Sequence, residues 1–121
     1  MLGAIIGDVV GSRFEFNNIK TKEFDLFNKR CTVTDDSVMS VAVAEMCIKG
    51  YVPNNKEMII KTFKKWGQLY PNAGYGNRFF QWVLSDKSES YNSCGNGSAM
   101  RISAIGFFSK TKEEVEEYSK L

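Results

Sequence analysis

Hydrophobic residues recur at helical spacing along most of the chain. From Leu2 to Phe16 they keep one broad face apolar, while Gly3, Gly7 and Gly11 recur every four residues on another face. This pattern predicts a buried helix whose glycines let a neighbouring backbone or a ligand come very close. The residues from Asn17 to Cys31 have no such period, which indicates a long loop of the kind that often carries function.

The hydrophobic pattern predicts further helices after this loop. One begins at Thr34 and ends at Gly50, and because it is apolar nearly all round it should be central and among the most buried. The remaining predicted elements are a helix capped by Asn55 and ended by Pro71, a short apolar segment from Phe79 to Leu84, a helix from Ser98 to Phe108, and a last helix opened by a capping box of Thr111 and Glu114. Without a repeat or a visible domain boundary, the chain is expected to be one all-α unit.

The composition removes several classes of catalytic site. None of the 121 residues is histidine, which excludes Ser-His-Asp and Cys-His centres, histidine acid–base catalysis and histidine-ligated zinc within this chain. The net charge of +2 comes from scattered residues, so neither a nucleic acid nor a membrane is expected as a partner. Three cysteines without a paired motif, no secretory leader and no long apolar stretch favour a cytoplasmic protein.

Three groups of polar residues are candidates for chemistry. The first is Asp8, Ser12 and Glu15, which share one side of the first predicted helix because they are four and three residues apart. A solvated polar stripe would have the same spacing. Gly11 leaves room beside Glu15 for something larger than water, which favours a functional interpretation.

The second group is Thr34, Asp35 and Asp36 at the start of the predicted central helix. A hydroxyl and acidic residues are common at helix starts, where they cap the helix and lie at the positive end of its dipole. Two adjacent carboxylates on a buried helix also need to be neutralised, which a hard divalent cation does with oxygen ligands. Such a donor set suits Mg²⁺ or Mn²⁺ better than Zn²⁺.

The third group is the turn from Gly95 to Ser98, which leads into a predicted helix. Backbone N–H groups at such a junction can bind phosphate, with Ser98 as the cap and Arg101 as a nearby positive charge. An ordinary turn and cap would have the same sequence. Cys94 precedes this turn and has no histidine to activate it, so a structural role is expected.

In this order, the three groups resemble the ADP-ribosylglycohydrolase family, which includes the dinitrogenase-reductase-activating glycohydrolases. The matching stretches are Gly3 to Glu15 (GAIIGDVVGSRFE), Thr34 to Ser37 (TDDS) and Gly95 to Arg101 (GNGSAMR), with Gly74 to Gly76 (GYG) between them. The resemblance extends over nearly the whole chain. It implies a compact helical bundle around a binuclear Mg²⁺ or Mn²⁺ centre and hydrolysis of a glycosidic bond to ADP-ribose.

The resemblance also implies a role for each candidate residue. Glu15 would be the catalytic carboxylate, a mobile acidic residue near the metal and the scissile bond. The residues implied as metal ligands are Thr34, Asp35 and Asp36, and those implied as contacts of ADP-ribose are Gly95, Asn96, Gly97 and Ser98.

A distal Asp-x-Asp-Ser/Thr motif, which the family uses to complete both metal sites, is missing from this sequence. The only aspartate after Asp36 is Asp86, and family members are typically much longer. Residues 1–121 are therefore expected to be the N-terminal part of one such domain, apparently truncated, with an incomplete metal site and no activity of their own.

Other functions stay open beside the enzyme. A non-enzymatic family member, either a crystallin-like structural protein or an ADP-ribose-binding module, could have this sequence, and a plain helical bundle could use all three motifs as caps and turns. For the enzyme, the partner would be an ADP-ribosylated protein or a small ADP-ribose conjugate, with the linkage undetermined. Apolar surface uncovered by a truncation would also favour self-association.

Overall fold

The computed structural model describes residues 1–120 and contains seven α-helices in this part of the chain. They are α1 (Leu2–Gly11), α2 (Asp35–Ile48), α3 (Lys56–Leu69), α4 (Asn77–Leu84), α5 (Gly97–Met100), α6 (Ser103–Phe108) and α7 (Lys112–Tyr118), and a 3₁₀ turn, Ser12–Phe14, extends α1. Residues 1–120 contain no strand, so the predicted all-α class is confirmed. Leu121, the last residue of the predicted domain, lies outside the described residues. None of these helices is both long and apolar enough to cross a lipid bilayer.

Helix α2 is the centre of the fold, as its apolar sequence predicts. Eight of its residues are buried, and it packs against α1, α3, α5 and α6. Its N-terminal half shares an apolar cluster with α4 through Met39 and Val83. Its C-terminal half shares a second cluster with α3 and α6 through Met46, Ile59 and Ile105. The first turn of α2 is therefore held in place by a packed core.

Side-chain caps start two helices where the sequence predicts them. The Asn55 side chain accepts a hydrogen bond from the N–H of Met58 at 3.1 Å at the start of α3. The Thr111 hydroxyl accepts one from the N–H of Glu114 at 3.2 Å at the start of α7, and the Glu114 carboxylate accepts one from the N–H of Lys110 at 2.6 Å. Local sequence thus determines where these helices begin.

The Glu45 carboxylate connects α2 with α3 through hydrogen bonds. Glu45 on α2 accepts hydrogen bonds from Lys49 at 2.6 Å, from Lys65 at 2.9 Å and from the indole N–H of Trp66 at 2.5 Å. These bonds, that of Lys49 foremost, lower the pKa of Glu45 to about 2. The contact joins the two longest helices, which have 14 residues each.

The predicted burial of the first helix is wrong for the described residues. Helix α1 contains no buried residue, and a methyl group added at Gly3, Gly7 or Gly11 would meet no atom within 4 Å. Helix α1 packs on α2 through the face that carries Asp8, which leaves the glycine face uncovered within residues 1–120. The close neighbour that the glycines predict is therefore not part of the described structure.

Gly67 marks a close approach of α3 to α4. A methyl group there would lie 2.9 Å from both methyl groups of Val83, a fully buried and branched side chain. We expect Gly67→Ala to lower the free energy of unfolding by about 1 kcal/mol, because overpacking costs roughly 1–3 kcal/mol and the gain in helix propensity offsets about 1 kcal/mol. Gly106→Ala on α6 is the matched control, since a methyl group there meets nothing within 4 Å. Urea unfolding measures the free energy of unfolding of both variants. Equal values for Gly67→Ala and Gly106→Ala would contradict the close contact between α3 and α4.

Candidate functional site

The first turn of α2 brings together the residues predicted as metal ligands. Thr34 directly precedes the helix, and Asp35 and Asp36 are its first two residues. The N–H of Asp35 donates a hydrogen bond to the carbonyl of Ala73 at 2.8 Å. Gly74 has a φ of +92°, a conformation that favours glycine, and a methyl group there would lie 4.0 Å from the Asp35 Oδ1. The segment before α4 therefore packs beside the Asp35 carboxylate.

Asp8 on α1 caps this turn from a position 26 residues before Thr34. Its carboxylate accepts hydrogen bonds from the N–H groups of Thr34 at 3.0 Å and Ser37 at 3.2 Å. It also accepts from both hydroxyls, that of Thr34 and that of Ser37, the latter at 2.5 Å. The Thr34 side chain makes no capping bond to α2. The sequence singles out Asp8 only as part of a polar stripe, because local spacing does not show a contact made across the loop.

Four carboxylates contribute negative charge at the start of α2: those of Asp8, Glu15, Asp35 and Asp36. Glu15 directly follows the 3₁₀ turn and is exposed. The pKa of Asp35 rises to about 6, mainly because the group is buried and then because of the charges of Asp36, Glu15 and Asp8. Burial and the charge of Asp8 also raise the pKa of Asp36. The charge of Glu15 thus acts on Asp35, one of the predicted metal ligands.

The donor set suits a hard cation but does not complete a site. Within residues 1–120, neither Asp35 nor Asp36 forms an ion pair with a lysine or arginine. Carboxylate and hydroxyl oxygens are the ligands that Mg²⁺ and Mn²⁺ prefer, and their excess negative charge is what such an ion neutralises. No group of three or more histidine, cysteine, aspartate or glutamate side chains in the described residues is arranged to hold a metal by itself. Any ion at α2 would need further oxygen ligands.

Tyr75 is a neighbour of Asp35 to which the sequence assigns no chemical role. Its hydroxyl is buried and has no hydrogen-bond partner among residues 1–120. Burial, and to a smaller extent the charge of Asp35, raises the pKa of Tyr75 to about 12, so the phenol keeps its proton. The GYG stretch indicates a turn, and no local pattern reveals that the tyrosine faces the acidic residues.

The predicted substrate turn lies at the start of α5. Asn96 directly precedes this helix and Ser98 lies inside it, and neither side chain caps it, so the predicted cap at Ser98 is wrong. Gly95, Asn96 and Ser98 are exposed. The hydroxyl of Ser40 on α2 donates to the carbonyl of Met100 at 3.4 Å, which holds the other end of α5 beside α2.

Arg101 lies beside this turn, as predicted, and its side chain is bonded to the turn. Its Nε donates to the carbonyl of Gly97, and its guanidinium lies 4.9 Å from the ring centre of Phe63 and 5.3 Å from that of Phe79. Burial lowers the pKa of Arg101, an effect that Tyr91 and then Asp35 oppose. The helix predicted from Ser98 to Phe108 is divided into α5 and α6, and Arg101 and Ile102 lie between these two helices.

The sequence matches the ADP-ribosylglycohydrolase family over residues 1–121. The chain belongs to this family. ADP-ribosylhydrolase ARH3 from Xenopus tropicalis is 25% identical over 145 aligned positions, which cover 99% of this chain and 41% of that relative. The chain therefore spans less than half the length of the curated relative that it matches, and no solved structure matches it.

Membership of the ADP-ribosylglycohydrolase family confirms the resemblance carried by the three sequence stretches. Both the family name and the name of the relative describe hydrolases of ADP-ribosyl groups. The assignment of individual residues to catalysis, metal binding and substrate contact stays a prediction.

Proposed function

We propose that residues 1–121 form the N-terminal part of a metal-dependent ADP-ribosylglycohydrolase site. The observation that carries the proposal is the gathering of acidic side chains at the start of α2, where burial and then the neighbouring charges raise the pKa of Asp35 to about 6. A divalent cation would offset this charge. The whole protein would hydrolyse the bond between ADP-ribose and a protein side chain or a small acceptor.

Thr34, Asp35 and Asp36 would hold Mg²⁺ or Mn²⁺ through their side-chain oxygens. When bound, such an ion supplies a water molecule of lowered pKa. Glu15 is exposed and acts electrostatically on Asp35, so its carboxylate would take up or release a proton near that water. The turn from Gly95 to Ser98, which is exposed except at Gly97, would contact ADP-ribose through its backbone and through the Asn96 side chain.

Metal titration and product release together test this function. We expect residues 1–121 to bind Mn²⁺ weakly and to release no ADP-ribose from ADP-ribosylated protein, because the described carboxylates supply only part of an octahedral oxygen shell. Asp36→Ala should abolish the weak Mn²⁺ binding, whereas Asp86→Ala, a change at an exposed aspartate, should retain it.

Two results would contradict the proposal in different ways. Robust metal-dependent release of ADP-ribose by residues 1–121 would show that the site is complete without further ligands. Binding of ADP-ribose without any binding of Mn²⁺ would favour the non-enzymatic alternative, an ADP-ribose-binding module.

We also propose that two copies of the chain associate through the outer face of α1. The chain exposes 8498 Å² of surface, whereas a folded monomer of its 13.7 kDa mass exposes about 6,600 Å². The excess is larger than the roughly 800 Å² that each partner contributes to a standard interface. Leu2 and Ile6 are exposed on α1, and its one charged residue, Asp8, bonds to α2, so two copies of this face can meet without repulsion.

Sedimentation equilibrium at high concentration tests the association. The wild-type chain should form dimers, and Ile6→Lys should make it monomeric because two lysines would be brought together at the interface. Ile48→Lys is the matched control, since Ile48 is 82% exposed at the end of α2, away from α1 in sequence. A wild-type chain that stays monomeric would overturn the proposal.

A further inference from the structure

We propose that Asp8 is a positioning residue that turns the Thr34 hydroxyl into an oxygen donor for a cation at α2. The inference rests on the proposed function, because it presupposes a cation at the start of α2. It assigns a role to a residue outside the proposed ligand set. It starts from the four hydrogen bonds that the Asp8 carboxylate accepts from Thr34 and Ser37.

The direction of the Thr34 proton is the first step. A hydroxyl group has one proton and two lone pairs, and a metal ion can approach only the lone pairs. In the structure the Thr34 hydroxyl donates its proton to the Asp8 Oδ1. That bond leaves the two lone pairs of the oxygen unused, and the Thr34 side chain also lies within hydrogen-bonding reach of Asp36.

The second step is the matching of donors and acceptors around Asp8. The Asp8 carboxylate is surrounded by four donors. They are the N–H group and the hydroxyl of Thr34 and the N–H group and the hydroxyl of Ser37. An ionised carboxylate is an acceptor only, so it satisfies all four. An asparagine has nearly the same shape but presents an NH₂ group on one side, which cannot accept from these donors.

The third step is the position of Asp8 on α1. The Ser12 hydroxyl, one helical turn later, accepts a hydrogen bond from the N–H of Thr32 at 3.0 Å. Glu15 follows at the end of the 3₁₀ turn. The same stretch of chain thus anchors the start of α2 and carries the proposed catalytic carboxylate, so Asp8 fixes one relative to the other.

A Mn²⁺ titration tests the role of Asp8. Binding is measured by electron paramagnetic resonance as the decrease of the signal of free Mn²⁺. We expect Asp8→Asn to weaken binding about 10- to 100-fold, the loss typical when a hydrogen-bond partner of a metal ligand is removed. Asn55→Ala is the control, because it removes another helix cap, at the start of α3, without touching α2. It should bind Mn²⁺ like the wild type.

A double-mutant cycle separates positioning from general support of the fold. If Asp8 acts through the Thr34 hydroxyl, Asp8→Asn should cause little further loss of Mn²⁺ affinity in a Thr34→Val background. Full additivity of the two losses, or wild-type affinity in Asp8→Asn, would overturn the inference. A wild-type chain that binds no Mn²⁺ would instead contradict the proposed metal site itself.

A second pair of variants applies if Asp8→Asn does not fold, as judged by circular dichroism. Thr34→Ser keeps a hydroxyl that can donate to Asp8, whereas Thr34→Val removes it. The serine variant should keep Mn²⁺ affinity within a few-fold of the wild type, and the valine variant should lose it. Equal affinities of the two would overturn the role of the oriented hydroxyl.

Discussion

Asp35→Asn is expected to stabilise the metal-free chain at mildly alkaline pH while abolishing its binding of Mn²⁺. The pKa of Asp35 is raised from 3.8 to about 6, mainly by burial and then by the negative charges of Asp36, Glu15 and Asp8. Since the folded chain favours the protonated acid, the ionised form destabilises it. Asparagine removes this charge and one metal ligand together.

The sign of the effect defines its pH range. A carboxyl group whose pKa is raised by folding contributes its full stability below 3.8, and that contribution is lost as pH rises through about 6. A shift of this size corresponds to about 3 kcal/mol, and because Asp35 is only half-buried, solvent screening reduces the expected gain to about 1–2 kcal/mol. The advantage of the variant should therefore be largest above the raised pKa and vanish in acid.

Urea unfolding in the presence of a chelator, at several pH values, measures this advantage. Asp86→Asn is the matched control, because the same chemical change at an exposed aspartate should leave the pH dependence of the wild type unaltered. A difference between Asp35→Asn and the wild type that stays constant with pH would contradict the raised pKa.

Met39→Ala is expected to cause a large loss of stability. Met39 is 0% exposed and lies in the cluster that joins the N-terminal half of α2 to α4. Truncating a buried methionine costs about 2–5 kcal/mol, because it removes apolar contacts and leaves a cavity. That is a large part of the roughly 5–15 kcal/mol that stabilises a typical domain.

Chemical unfolding of two variants isolates the cavity effect. Met39→Leu nearly conserves volume and should cost less than about 1.5 kcal/mol. If the alanine and leucine variants were equally stable, the cluster beneath the start of α2 would not be packed as described. A loss confined to alanine would show that the cavity left at Met39 destabilises the fold.

Most helices could be predicted from sequence because their signals are local. The starts of α3 and α7 follow from caps within three residues, Asn55 with Met58 and Thr111 with Glu114. The burial of α2 follows from a sequence that is apolar nearly all round. These interactions are short-range, so a pattern of neighbouring residues contains them.

The errors arise where distant residues decide the outcome. The break between α5 and α6 falls at Arg101 and Ile102, where the Arg101 guanidinium packs near the rings of Phe63 on α3 and Phe79 on α4. The exposure of α1 depends on which elements cover it. Neither feature can be read from helical periodicity, which reports what a segment prefers and not which neighbour it meets.

For the candidate site, the sequence indicates the residues but not their connections. Thr34, Asp35 and Asp36 begin α2 as predicted. The bond of Asp8 to Thr34 spans 26 residues, and the approach of Tyr75 to Asp35 depends on how the segment before α4 packs. Motif spacing can place a chemical group on an element, whereas the direction of a hydroxyl proton follows only from the folded arrangement.

Glu45 and Asp35 lie on one helix but respond to acid in opposite directions. The bonds of Glu45 hold its pKa at about 2, so its contribution to stability is complete above the ordinary value of 4.5 and is lost as pH falls towards 2. The contribution of Asp35 is lost as pH rises through about 6. The metal-free chain should therefore be most stable in weak acid, between the pKa of Glu45 and that of Asp35. At neutral pH its free energy of unfolding should already be lower than at this optimum.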